Sequence, residues 1–257
     1  MMNSKPSVKI IHSPHNETLA QIVSLETSKG RRAHQLFKAE GVRVCTTLSA
    51  SSLPLMQLYV TEPLLSTALA FVPKDKVTLI PLTIMKKISS CITPPGILGI
   101  FAIPPQPAID TLSSGIVLSQ IQDPGNMGTL IRTAAACGLH SVVLINGTDP
   151  WSPKVIQASA GTVGHINIFQ TDWETIKQQK QSLHLVGLVP QGGQTVDKVI
   201  TAERSTLLII GNETHGIHPL FLKECDTLLT LPMPGHIESL NAAVAGAIAM
   251  YTLFVLK

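Results

Sequence analysis

The sequence is short of aromatic residues. Phe, Trp and Tyr make up 4% of a chain that is 44% hydrophobic, so its core has to be aliphatic. That composition favours strands of Val, Ile and Leu packed against Ala-rich helices over a β-sandwich. Cysteine is scarce as well. The four, at positions 45, 91, 137 and 225, form no Cys-x-x-Cys pair, and none has a histidine at zinc-finger spacing. This argues against a disulfide framework and a zinc site, and reads as reduced thiols in a cytoplasmic, metal-free protein. Long hydrophobic runs are missing. The segment MMNSKPSVKI lacks the apolar core of a signal peptide. The most apolar stretch, 242–256, is shorter than the ~20 residues a bilayer needs. It reads as a buried helix, and no membrane association is expected. Neither Gly-x-Gly-x-x-Gly nor Gly-x-x-x-x-Gly-Lys-Ser/Thr occurs, which disfavours nicotinamide and nucleoside-triphosphate chemistry.

The charge that is present is unevenly placed. Residues 1–103 hold 11 Lys/Arg against 5 Asp/Glu, a net of +6, and residues 104–257 hold 8 against 11, a net of −3. A basic first part that meets an acidic partner, followed by a second part with another task, is the expected organisation. The boundary falls at IPPQPAID (103–110), with three prolines in eight positions. The domains are expected over 1–103 and 113–257, with a proline-rich linker over 104–112.

In the first domain, residues 16–25 and LLSTALAF (64–71) have helical character. QLYVTE (57–62), VTLIP (77–81) and GILGIFAI (96–103) read as strands. TSKGRRAHQLFKAEG (27–41) carries Lys29, Arg31, Arg32 and Lys38 with no acid before Glu40. Such cations suit phosphate oxygens, contacts that give affinity without reading sequence. The second domain alternates. GIVLSQI (115–121), SVVLING (141–147), HINIF (165–169), HLVGLVP (184–190), TLLIIG (206–211) and LLTLP (228–232) are strand candidates. Helical segments such as MGTLIRTAAACG (127–138) and WETIKQQKQS (173–182) lie between them. This is the pattern of an α/β fold whose parallel sheet is covered by helices on both faces.

Three glycine-containing segments each follow a strand candidate of this domain, where open parallel sheets bind ligands. In DPGNMGTLIRTAAACG (123–138), Asn126 is a good N-cap and Gly138 a natural C-terminal stop. Arg132 is alone in an apolar helix, a setting in which an arginine is expected to have a dedicated phosphate or carboxylate. In LLIIGNETHGI (207–217), Gly211 ends a strand, Gly216 closes a tight turn and Glu213 lies between them. In LPMPGHIESLNAAVAG (231–246), a stiff loop delivers a polar cluster, Glu238-Ser239-Leu240-Asn241, to the start of an apolar helix. Ser239 is expected to cap that helix and Asn241 to point elsewhere.

Together these segments resemble the three motifs of the SpoU (TrmH) family of RNA ribose 2′-O-methyltransferases. Asn126, Gly128 and Arg132 match the first, Gly211, Glu213 and Gly216 the second. Leu231, Pro232, Met233, Gly235, Ser239, Leu240 and Asn241 match the third. Ala242 and Ala243 replace the family's frequent Val-Ser. The basic first domain is similar to the small, ribosomal-protein-like RNA-binding domain that precedes the catalytic domain in rRNA-modifying members.

The resemblance implies a deep trefoil knot at the C-terminal end of the α/β domain, with S-adenosylmethionine held in a bent shape by the knot's loops. Gly211, Leu231 and Leu240 are expected to contact it through backbone groups. Leu188, Val189 and Pro190 would form another wall, and Ile210, Gly216, Met233 and Gly235 would complete the site. The resemblance also implies a homodimer through the knot and last helix. The reaction would be methyl transfer to a ribose 2′-hydroxyl, rRNA being favoured over tRNA because tRNA-directed relatives generally lack the basic domain. A non-catalytic RNA-binding or assembly protein is a further alternative, disfavoured by the intact motifs, and a small-molecule methyltransferase another, disfavoured by the +6 first domain. Asn126, Arg132, Glu213, Ser239 and Asn241 are the expected catalytic set. Arg132 stands either as general base or as a phosphate clamp, the latter in keeping with the reluctance of guanidinium to lose a proton.

Overall fold

The computed structural model describes residues 8–13, 17–199, 204–235 and 239–256. Asn16, at the start of the first expected helix, and Glu238 of the polar cluster lie outside them. The chain forms two compact units, Met1–Pro105 with Trp151–Gly164, and Gln106–Pro150 with His165–Lys257. The first crossing falls inside the proline-rich stretch. The return of Trp151–Gly164 to the first unit interrupts the second domain expected over 113–257.

The first unit runs β1 (Lys9–Ile10), α1 (Glu17–Ser24), α2 (Ser28–His34), β2 (Leu36–Glu40), α3 (Val42–Ser49), β3 (Leu55–Val60), α4 (Leu65–Leu69), β4 (Val77–Leu79), α5 (Leu82–Ile88) and β5 (Ile97–Ala102). Its sheet order is β1-β4-β3-β5-β2, parallel across β1, β4 and β3 and antiparallel across β3–β5 and β5–β2. Helix α2 starts where the Thr27 hydroxyl accepts from the Gly30 N–H (3.1 Å) and ends at Gln35, which takes the left-handed conformation (φ 52°). A Cβ at Gly30 would lie 2.0 Å from the Ser24 carbonyl oxygen, so only glycine lets α2 fold back on the end of α1.

The second unit runs β6 (Gly115–Ile121), α6 (Pro124–Ala136) and β7 (Ser141–Gly147). After the excursion that carries α7 (Pro153–Ala158) it continues with β8 (Asn167–Gln170), α8 (Trp173–Gln178), β9 (Leu183–Leu188), β10 (Ser205–Ile210), α9 (Pro219–Leu222), β11 (Thr227–Leu229) and α10 (Ala242–Phe254). The order β11-β9-β10-β6-β7-β8 is parallel throughout. Alternate residues feed two cores. Val117, Val143, Leu185, Leu207 and Ile209 pack with Trp173, Ile176 and Ile217 on one face. On the other, α10 approaches so closely that a Cβ at Gly246 would lie 2.5 Å from Leu130 of α6 and 2.7 Å from Ile210 of β10. Helices therefore cover both faces, which is what the unbroken aliphatic runs of these strands require. Each Leu or Ile so buried contributes roughly 1.5–3 kcal/mol. Helix α6 stops in a Schellman motif. Leu139 N–H reaches the Ala134 oxygen (3.0 Å), Gly138 N–H reaches Ala135 (3.2 Å), and Gly138 has φ 72°.

The excursion serves the first unit. Trp151 packs on Phe37 of β2 with ring centroids 5.1 Å apart, and Phe37 stacks in turn on Phe101 of β5 (5.6 Å). Gly161 lies against the Val44 carbonyl of α3, where a Cβ would come within 2.8 Å.

Candidate active site

The second unit's chemistry-bearing side chains collect beyond the C-terminal ends of its parallel strands, the expected place for a ligand. After β10 the chain doubles back at once. Asn212 N–H donates to the Gly216 oxygen (3.0 Å) and Gly216 N–H to the Asn212 oxygen (2.9 Å). Two glycines permit this. A Cβ at Gly211 would lie 2.2 Å from the Gly216 carbonyl carbon. Gly216 itself has φ 66°, which favours a residue without a side chain. Sequence reading passed over Asn212. Its Oδ1 accepts from the N–H groups of Thr214 (2.8 Å) and His215 (3.2 Å), and its Nδ2 donates to the Gln120 carbonyl (2.9 Å). The turn that carries Glu213 is thereby fixed to the end of β6.

The capping arrangement differs from expectation at both helices. Asp123, not Asn126, caps α6. Its carboxylate accepts from Asn126 N–H (2.7 Å), and Pro124 occupies the first helical position. Proline suits that position because it has no N–H to satisfy, which makes the residue before it the cap. The Asn126 amide is thus released for another use. At α10 the cap is Asn241, not Ser239. Asn241 Oδ1 accepts from Ala243 N–H (2.9 Å) and Val244 N–H (3.2 Å). The rest of its amide reaches across the fold. Asn241 Nδ2 donates to Asn126 Oδ1 (3.1 Å), and Asn126 Nδ2 donates to Glu213 Oε1 (2.8 Å). Three residues separated by 87 and 115 positions in the chain form one hydrogen-bonded line.

This line borders a cavity of about 630 Å³, within the range of small-molecule sites. Leu188, Val189 and Pro190 from the end of β9 form one side. Ile210, Gly211, Glu213 and Gly216 form the next. Leu231, Met233, Ser239, Leu240 and Asn241 close it. Nine of the ten residues expected around a cofactor thus meet at one cavity; the tenth, Gly235, is exposed and is not part of its lining. Thr214, His215, Leu222 and Ala245 also line it, and no motif pointed to them. Of the expected catalytic set, Glu213, Ser239 and Asn241 line the cavity and Asn126 holds two of them. Arg132 lies on α6, exposed, outside the lining, and it makes no hydrogen bond or ion pair with any described residue. The dedicated partner expected for it is not found among them. Among the described residues no group of His, Cys, Asp and Glu is arranged to hold a metal ion, and no helix is long and apolar enough to cross a membrane.

In the first unit, two of the four cations expected to grip phosphate are spent internally. Arg31 is buried, and its guanidinium donates to the carbonyls of Leu25 (2.8 Å) and Glu26 (2.9 Å). Lys38 is buried and pairs with Glu26 (2.8 Å) while donating to the Ile88 carbonyl (2.9 Å). A buried charge has to be compensated where it lies, so neither reaches solvent. Sequence reading overlooked Glu26 because it is twelve positions from Lys38 along the chain. Lys29 and Arg32 remain exposed, and the Arg32 guanidinium donates within α2 to Ser28.

A parallel α/β sheet with a ligand-sized cavity at its C-terminal edge, braced by an amide–carboxylate line, defines the class. Residues 113–251 match the SpoU rRNA Methylase family, and residues 16–99 match the MRM3-like substrate binding domain. The chain belongs to the SpoU rRNA Methylase family. It is 35% identical over 152 residues to the 23S rRNA (guanosine(2553)-2'-O)-methyltransferase RlmP of Bacillus subtilis, a match covering 58% of this chain and 61% of that protein. It is 32% identical over 181 residues to an uncharacterized tRNA/rRNA methyltransferase of Synechocystis, covering 65% and 63%. The match thus spans about three fifths of these relatives' length. The AdoMet-bound rRNA methyltransferase from Sinorhizobium meliloti superposes with a TM-score of 0.84 at 25% identity, covering 95% of this chain and 97% of that one. An RNA 2'-O ribose methyltransferase superposes at 0.76 and 26%, covering 95% and 97%.

Proposed function

We propose that this protein transfers the methyl group of S-adenosylmethionine to a ribose 2′-hydroxyl of RNA, with rRNA as the substrate. The observation that carries this reading is the line Glu213–Asn126–Asn241 at the rim of a cavity built from three separate loops. A binding-only scaffold has no need to bring three distant polar residues to one edge of a pocket.

The cavity fits the donor. Leu188, Ile210, Leu231 and Leu240 supply apolar walls for an adenine, and Gly211 lets its backbone come close. Among the described lining residues Glu213 is the sole carboxylate, suited to a cationic ligand. When bound, S-adenosylmethionine supplies a methyl group already activated by its sulfonium, so the chain's own work is placement. The methyl–sulfur bond breaks as the methyl–oxygen bond forms, and the hydroxyl proton leaves to solvent or to a substrate phosphate. Ser239 and Glu213 orient the ribose at the rim, and Asn126, tied to Asn241, holds Glu213. Arg132, exposed and unengaged by described residues, clamps the phosphate beside the reacting ribose. The B. subtilis relative, named for 23S rRNA 2'-O methylation, supports rRNA as substrate, as does the net +6 of residues 1–103.

The same reading includes a trefoil knot. In its favour, Gly193 N–H bonds the Thr230 hydroxyl (2.9 Å) and Gln194 pairs with Leu228 and Thr230, which holds the loop after β9 alongside the end of β11. It also includes a homodimer through α10, where Val244, Ile248, Tyr251 and Val255 expose apolar surface at helical spacing, and a cytoplasmic site of action alongside ribosomal RNA.

The test is transfer from radiolabelled donor to rRNA taken from cells lacking the protein, with ribose methylation mapped afterwards. A new 2′-O-methyl nucleotide is expected. Label that appears only on bases, or in no RNA, overturns the reading.

A further inference from the structure

Two of the cations that sequence reading gave to RNA instead help to hold a loop of the first unit. Residues 88–93, between α5 and β5, are gripped at successive positions. Lys38 Nζ donates to the Ile88 carbonyl (2.9 Å). Glu40 accepts from Ser90 N–H (2.7 Å) and from the Ser89 hydroxyl. Glu26 accepts from the Ser90 hydroxyl (2.6 Å), and Cys91 N–H donates to the Ser89 hydroxyl (3.0 Å). Lys38 and Glu40 are 2% and 6% exposed. Arg31 holds the carbonyl of Glu26 (2.9 Å), the residue that links this brace together.

At the tip of this braced loop stands Ile92, with a relative exposure of 104%, the highest among the described large hydrophobic residues that are exposed. An exposed isoleucine is ordinary by itself. One that is presented by a loop whose base is fixed by the buried, hydrogen-bonded charges of Lys38 and Glu40 is not, because charge burial is costly and a surface loop without a task has no use for such rigidity. Holding the tip in place removes the ordering cost that a mobile loop would incur on binding. Lys86 and Lys87, in the last turn of α5 and close to Ile92 along the chain, are exposed, and the segment 86–93 itself contains no acidic residue, the Glu26 carboxylate that reaches it being paired with Lys38.

We infer that the 88–93 loop is an RNA-reading finger. Ile92 packs on an unpaired nucleobase while Lys86 and Lys87 contact the flanking phosphates. The flanking lysines favour RNA over a protein partner. The apolar tip favours an unpaired base over a duplex, since stacked bases of A-form RNA offer an apolar side chain no face to cover. This inference rests on the function proposed above and names the part of the first unit that selects substrate.

The experiment measures binding of the full chain to two RNAs, a hairpin with an unpaired loop and a fully paired duplex of the same length, over a range of salt. Ile92→Ala should weaken hairpin binding about tenfold, the value of one buried aliphatic side chain, with the duplex and the salt dependence unchanged. Ile92→Phe should retain hairpin binding. Lys86→Gln and Lys87→Gln should weaken both RNAs and each flatten the salt slope by about 0.7. Hairpin binding unaltered by Ile92→Ala, or weakened equally for both RNAs, overturns the inference. The first outcome leaves Ile92 to a protein partner. Donor uptake is read on the same proteins. If the unsubstituted chain takes up no S-adenosylmethionine the proposed function falls, whereas normal uptake with an indifferent Ile92 removes only the finger.

Discussion

Asn126 shows how a side chain with two kinds of hydrogen-bonding group joins residues from distant loops: its amide donates to Glu213 and accepts from Asn241. Asn126→Ala removes both links without touching the cavity wall. Methyl transfer is expected to fall about 100-fold while donor affinity changes by less than about threefold, as for a loss confined to the transition state. Because Asn126 and Glu213 act as a unit, Asn126→Ala combined with Glu213→Ala should cost less than the sum of the two, measured by single-turnover kinetics. Arg132→Ala should abolish transfer with donor binding intact; near-normal turnover would remove Arg132 from the chemistry. The motif positions were legible in the sequence because residue type and spacing along the chain carry them. Which side chain does what was not. The cap of α6 fell to Asp123, the cap of α10 to Asn241, and Arg31 and Lys38 turned inward, because a partner such as Glu26 becomes a neighbour only after folding. Glu26 gives this a pH dependence. Burial pushes its carboxyl up, but hydrogen bonds to Lys38 and Ser90 and the charges of Lys38 and Arg31 outweigh that and hold it below the ordinary value of 4.5. Its folded value lies under its unfolded one, so its contribution is present above the ordinary carboxylate range and is lost as pH falls through the folded value. The stability lost in Glu26→Gln, read by chemical denaturation, should be constant between pH 6 and 8, chosen as roughly neutral, and should shrink on acidification below 4.5.

Among the elements, α10 carries both a tightly packed core face and the apolar stripe proposed for self-association. One face carries Gly246 against Leu130 and Ile210. Gly246→Val should cost about 1–3 kcal/mol by overpacking, read by chemical denaturation. The opposite stripe, Val244, Ile248, Tyr251 and Val255, is apolar and exposed. Ile248→Asp with Tyr251→Lys is expected to yield a monomer by analytical ultracentrifugation. A variant that sediments as the unsubstituted chain does would place any self-association elsewhere. Each strand expected in the second unit is present, β6 and β7 at the bounds expected and β8 to β11 shifted by one to three residues at their ends, because a strand buried on both faces is a continuous aliphatic run. Short α7 escaped notice: PKVIQA has too few turns to display a helical period, and its capping serine lies beside a proline.

At the scale of the whole molecule, the chain's second visit to the first unit could not be read from composition, since Trp151–Gly164 carries no linker signature and no change of charge. It matters for the stability of that unit. Trp151 is 6% exposed and covers Phe37, so Trp151→Ala should cost about 3–5 kcal/mol. A fragment ending at residue 105 should fold less stably than the same unit in the full chain, as followed by thermal unfolding. In the proposed function the basic first unit binds RNA and the cavity of the second binds the methyl donor, and the donor site is the part on which that chemistry stands. Isothermal titration of S-adenosylmethionine into the purified chain tests it most directly. One donor bound per chain is predicted, with uptake lost in Gly211→Val, whose side chain would collide with the Gly216 backbone. Absence of measurable donor binding by the unsubstituted protein, with and without rRNA, would contradict the account.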